Sequence, residues 1–120
     1  MSLDGIWIFE VVGVYGWERV STAFMEKGRF LSGSASAFSY GTYVADGNKV
    51  KIKLQVTQHG KKRTIFGEKH RRFSIVMKAK CDGDKIEGKV SLKGAKSTAT
   101  QYSFRLLRKM DLPAFPQEAV

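Results

Sequence analysis

Cysteine, proline, histidine and carboxylates are scarce in this chain, and each scarcity excludes a class of protein. The single cysteine among 120 residues, Cys81, cannot form an internal disulfide and has no CxxC partner for a metal. It is expected to pack as a small hydrophobe in a reducing, cytoplasmic compartment. Only two prolines occur, both near the C-terminus, while apolar residues make up 42% and aromatics 12%. Such a composition builds a core and excludes a disordered chain. The two histidines, His59 and His70, lack a cysteine or carboxylate at ligand spacing, so neither a metal nor a cofactor is expected. Ser34, Ser36 and Ser39 stand in no Gly-x-Ser-x-Gly elbow, and the chain reads as a non-enzyme. No run approaches the ~20 apolar residues of a membrane span, and the start lacks the charged flank and long apolar stretch of a signal peptide.

Long helical stripes are missing too, and what remains is alternation of period two. The length fits one domain, expected over residues 1–113, with 114–120 as a tail and residues 1–3 set aside from the fold. The first strand, Gly5 to Val12, carries Trp7, Phe9 and Val11 on one face and Ile6, Ile8 and Val12 on the other. A strand apolar on both sides is usually covered on both sides, so Ile6 and Ile8 are expected to face a second subunit. Trp17 to Glu26 follows, with Val20, Thr22 and Phe24 alternating with Arg19, Ser21 and Ala23. Lys27-Gly28 signals a turn into Arg29 to Ser32, and Ser32 to Ala37 makes a corner before Tyr40 to Ala45. Asp46-Gly47 and Asp82-Gly83 are hairpin signals. Between them Val50, Ile52, Leu54 and Val56, then Phe73, Ile75, Met77 and Ala79, point inward; Ile86, Val90 and Leu92 do so afterwards. A last strand from Thr98 to Leu107 turns Tyr102, Phe104 and Leu106 inward.

Eight such strands predict an all-β fold, an eight-stranded antiparallel up-and-down barrel whose closure hides its edges. A barrel of this size holds side chains or one small ligand. Trp7, Phe24, Phe38, Tyr40, Phe73 and Phe104 are therefore the candidate lining of an apolar cavity.

The formal charge is +10, from 21 Lys and Arg against 11 Asp and Glu, which favours acidic partners: nucleic acid, an anionic surface or an acidic protein. In a meander Lys49, Lys51 and Lys53 lie beside Lys78 and Lys80, then Lys85 and Lys89, then Arg105. Like charges directly opposite destabilise a sheet by a few tenths to about 1 kcal/mol per pair. The connection from His59 to Arg72 adds Lys61, Lys62 and Arg63 around Ile65-Phe66. Lys49, Lys51, Lys53, Lys61, Lys62, Arg63, Lys78 and Lys80 form either an anion-binding surface or a solvated, edge-protecting face. The connection itself is either a lid over the barrel mouth or a solvated loop.

Gly5-Ile6-Trp7 resembles the Gly-x-Trp signature of lipocalins and their calycin relatives, in which the tryptophan closes one barrel end beneath an arginine of the last strand. Arg108 shares the parity of Phe104 and Leu106, so the resemblance implies a Trp7–Arg108 cation–π closure contributing about 0.5 to 2 kcal/mol. From about Asp4 to Pro113 the chain looks like the GrlR family, small lipocalin-like bacterial proteins named for a negative regulator of type III secretion gene expression. The shared points are Asp4-Gly5-Ile6-Trp7, Gly28-Arg29-Phe30-Leu31-Ser32-Gly33, Tyr40-Gly41-Thr42-Tyr43, His59, Phe66-Gly67, Asp82-Gly83-Asp84 with Ile86 and Gly88, and Leu112-Pro113. The resemblance implies a homodimeric barrel with a hydrophobic interior, acting by binding a regulatory protein and not by catalysis. The chain departs from the family at Ser32-Gly33-Ser34-Ala35, where Gly-Gly-Asp-Ser is common, and at Asp46-Gly47-Asn48-Lys49, where the named member has an acidic loop. The leading expectation is a non-enzymatic regulatory protein working through protein–protein contact. The alternatives are a carrier or sensor of a small apolar ligand, and nonspecific anion or nucleic-acid binding through the lysine-rich face.

Overall fold

The computed structural model describes residues 2–13, 15–60, 71–94 and 101–113. Eight strands follow one another: β1 (Gly5–Gly13), β2 (Gly16–Glu26), β3 (Arg29–Gly33), β4 (Ala37–Asp46), β5 (Lys49–Gln58), β6 (Arg72–Asp82), β7 (Lys85–Leu92) and β8 (Tyr102–Met110). Each pairs antiparallel with the next, and β8 returns to β1, so the sheet closes into the expected up-and-down barrel. Among the described residues no helix is long and apolar enough to cross a membrane.

Short turns fix the register. Lys27 and Gly28 both have positive φ, 49° and 81°, the geometry whose twist matches that of the flanking strands. Gly47 and Gly83, each with φ 61°, come first in their turns. Asp46 and Asp82 are thus still strand residues, paired with Lys49 and Lys85.

The core shows which face of each strand turns inward. Trp7, Phe9 and Val11 of β1 meet Ala23 and Met25 of β2, Phe30 of β3, Val50, Ile52 and Leu54 of β5, and the buried residues of β6 to β8. Large residues face small ones. Trp7 lies opposite Ala23, and Gly41 lies between Phe30 and Leu54. Gly88 lies between Ala79 and Phe104, whose ring stacks on Phe9 at 5.8 Å. A Cβ on Gly41 would run into the Lys53 carbonyl, and one on Gly88 into that of Lys78. Mid-strand glycine here marks close backbone approach.

Two irregularities bring the sheet round. The β1–β2 register shifts between Phe9 and Glu10, leaving Val20 as the extra residue, and the β1–β8 register shifts between Ile6 and Trp7, leaving Lys109 extra. A bulge bends its strand and increases local twist, and both lie on strands flanking β1. Leu3, set aside in the sequence reading, is buried in the core, and its carbonyl accepts the Trp7 indole N–H at 3.0 Å. The last strand ends at Met110, beyond the expected Leu107. The expected strand start at Thr98 and the tail over 114–120 lie outside the described residues.

Replacing Gly41 or Gly88 with alanine is expected to lower stability by about 1 to 3 kcal/mol, the usual cost of overpacking a filled interior. Urea unfolding measures it, and neutrality at both positions would contradict the close approach.

Candidate functional site

One end of the barrel is built around Arg108, whose side chain is 12% exposed. Its guanidinium lies over the Trp7 ring, 4.6 Å from the centroid. Nη1 donates to the Asp4 carbonyl at 2.8 Å and Nη2 to the Ser2 carbonyl at 3.1 Å. Nε is 3.0 Å from Asp84 Oδ1, an ion pair by distance, but the angle does not make a hydrogen bond. Asp4 in turn accepts the Lys27 backbone N–H at 3.0 Å and the Tyr43 hydroxyl at 3.1 Å. The Lys27 N–H is the main reason that the Asp4 carboxyl is held below the usual aspartate range; partial burial opposes it, and the Tyr43 hydroxyl adds to it. Burial, helped by the hydrogen bond to Asp4, pushes the Tyr43 phenol up. This cluster joins β1, the β2–β3 turn, β4 and β8. Its groups are occupied in holding strands together.

The candidate cavity divides. Trp7 and Phe104 are fully buried inside the barrel, and Phe73 is half-buried against the same core. Phe24, Phe38 and Tyr40 correct the expectation: they point outward, 44%, 45% and 52% exposed. Volume is the reason. On β2, Ala23 takes the interior position because it faces the Trp7 ring, which leaves Phe24 outside. On β4, Gly41 must face inward between Phe30 and Leu54, which places Phe38 and Tyr40 on the outer surface. Ser39, also inward and buried, is satisfied by a hydroxyl–hydroxyl hydrogen bond to Ser32 across the strand pair. His59 stacks on Phe38 with centroids 5.9 Å apart.

The displaced aromatics meet Ile6 and Ile8, the candidate subunit face, on the outside. Met110, Ile6, Phe24, Leu31 and Tyr40 are successive cross-strand partners from β8 through β4. The neighbouring row runs Leu107, Ile8, Thr22, Gly33 and Phe38. At about 4.8 Å per strand the first row is roughly 19 Å long. Sequence reasoning missed this band, because aromatic residues on an alternating strand were read as core. Beside it Arg29 pairs with Glu26 at 3.1 Å and Arg105 with Glu10 at 2.7 Å, the latter guanidinium also lying over Trp17 at 4.2 Å, while Lys109, exposed between Leu107 and Met110, makes no ion pair among the described residues.

The basic residues lie on the far side of the barrel. Lys49 pairs with Lys80 and Lys51 with Lys78, while Lys53 faces Val76. Lys61, Lys62 and Arg63, with the expected lid residues Ile65 and Phe66, lie outside the described residues. Compared with known proteins, the chain matches no family model and no curated protein.

Arg108→Ala removes a cation–π contact and two charged hydrogen bonds, so a loss of about 2 to 4 kcal/mol is expected in denaturant unfolding. Asp4 yields a pH test. Its lowered pKa makes its contribution complete above the ordinary aspartate value of about 3.9, and lost as pH falls through the lower folded value. Asp4→Asn should therefore be less stable than the parent at neutral pH, and the gap should close in acid below about pH 4. A constant gap down to pH 2 would overturn the assignment.

Proposed function

We propose that the protein is a non-enzymatic regulatory binding protein that acts by protein–protein contact, and that two copies pair through the apolar band of β8 and β1 to β4. The exposed row of Phe24, Leu31 and Tyr40 beside Ile6 supports this reading. A contiguous apolar patch of this kind marks an interaction surface. Arg29 and Arg105 beside it are each paired with a carboxylate, which reduces the like charge that a second copy meets, although the whole chain carries +10. The resemblance to the GrlR family, carried by Asp4 to Trp7 and Gly28 to Gly33, supports a homodimeric, regulatory reading. The inward placement of small residues on β2 and β4 weighs against the carrier alternative, because three of its six lining aromatics are outside.

Native mass spectrometry with light scattering at micromolar concentration tests the proposal. A dimer is expected for the parent, and a folded monomer for Phe24→Lys combined with Leu31→Lys. A parent protein that stays monomeric, or is monomeric with a small apolar adduct, would overturn it in favour of the carrier.

A further inference from the structure

We infer that the outer face of β5 to β7 is a sequence-independent binding surface for the phosphate backbone of duplex nucleic acid. This goes beyond the proposed pairing of two copies and uses the opposite side of the barrel.

The register makes the case. Lys51, Lys78 and Lys89 are successive cross-strand partners on β5, β6 and β7, and Lys49 and Lys80 stand opposite each other in the next row. Neighbours in a row are about 4.8 Å apart at the backbone, and residues two apart on a strand about 6.7 Å. Lysines in such a lattice repel one another. Carboxylates offset only part of this repulsion, Asp46 standing opposite Lys49. Glu87 lies opposite Lys80 but is paired with Lys85 at 3.6 Å, and the Lys89 ammonium donates to the Ser103 hydroxyl at 2.7 Å. Among the described residues Lys49, Lys51, Lys53, Lys78 and Lys80 form no ion pair within 4.0 Å. These five side chains border an open groove of about 800 Å³ that Thr42 and Val44 flank on β4.

Two ordinary explanations of surface lysine fit poorly. Edge protection needs an edge, and β5, β6 and β7 each have a hydrogen-bonded neighbour on both sides. Solubility needs charge, but scattered charge serves as well without the repulsion.

The chemistry of the groove selects the partner. A protein partner is typically held by a buried aromatic, apolar or arginine anchor at the centre of the interface. Here the groove is bordered by lysine with small residues between, and among the described residues no aromatic side chain lines it. Single strands bound by base stacking require such aromatics. Lysine is a compact point charge suited to phosphate without bidentate geometry, and backbone contacts carry no sequence information. Asp46 and Glu87, at one end of the groove, limit the phosphate track to the lysine rows.

Fluorescence anisotropy with a mixed-sequence DNA duplex of about 20 base pairs, between 50 and 300 mM potassium chloride, tests the inference. Five phosphate contacts predict a slope of log affinity against log salt of about −4.5, from 0.9 per contact. Lys51→Gln combined with Lys78→Gln should make the slope shallower by about 2 and weaken binding roughly 10- to 60-fold at 0.1 M salt. The melting temperature of that variant should stay level or rise, because repulsion has been removed. Lys109→Gln, on β8 away from the groove, should leave the slope within about one contact of the parent. No binding at 50 mM salt, or an unchanged slope in the double variant, would overturn the inference. Competition by polyglutamate as effective as by duplex at equal charge would also overturn it, in favour of an acidic protein.

Discussion

The Arg108 guanidinium rests on the Trp7 ring at the seam where the last strand meets the first, and the other six strands depend on that seam. An open eight-stranded meander has two edges, each a row of unpaired backbone groups. Pairing β1 with β8 removes both. The arginine also reaches the Ser2 and Asp4 carbonyls, so one side chain holds the N-terminal residues, the first strand and the last. Asp4 extends the tie through Lys27 and Tyr43 to the β2–β3 turn and β4. Contacts so distant in sequence are costly to form and effective once made. The barrel end is consequently a place where one substitution acts on several strands.

Closure limits the interior, and the limit sets the outer surface. Once Trp7, Phe30, Leu54 and Phe104 are inside, each has a small residue as one of its two cross-strand neighbours: Ala23 beside Trp7, Gly41 beside Phe30 and Leu54, Gly88 beside Phe104. Because side chains alternate strictly along a strand, choosing the small residue for the inside sends its large neighbour outside. Phe24, Phe38 and Tyr40 are exposed for that reason, and with Ile6 and Leu31 they form a band.

The fold was legible in the sequence because alternation on β5, β6 and β8 is clear: Val50, Ile52 and Leu54 against Lys49, Lys51 and Lys53 admit one reading. The lysine rows followed from the same pattern, since a meander fixes which strands are neighbours. On β2 and β4 both faces carry apolar residues, and hydrophobicity cannot choose between them. The usable signal was the glycine inside β4, which needs a close backbone neighbour on its own face, and the alanine that the Trp7 ring requires. Leu3 gave no periodic signal, and its burial depends on the chain doubling back under Trp7. The Asp4–Lys27–Tyr43 network was invisible because it joins residues far apart in sequence through a turn with positive φ.

A closed barrel has also surrendered one way of binding. Outside the parts of β2 and β4 that run past the short β3, no strand edge is left to which a partner could add a strand, so recognition falls chiefly to the side chains of the outer face. Parity and register divide that face in two. The strands β8 and β1 to β4 present apolar groups beside the Arg29–Glu26 and Arg105–Glu10 pairs, whereas β5 and β6 present five lysines that make no ion pair among the described residues. Dispersion and water release act at contact and are not weakened by screening salt; unpaired charge acts over about a Debye length and weakens as salt rises. The geometry that exposes the aromatics of β4 and aligns the lysines of β5 is thus one register, read on two sides of the same hairpin.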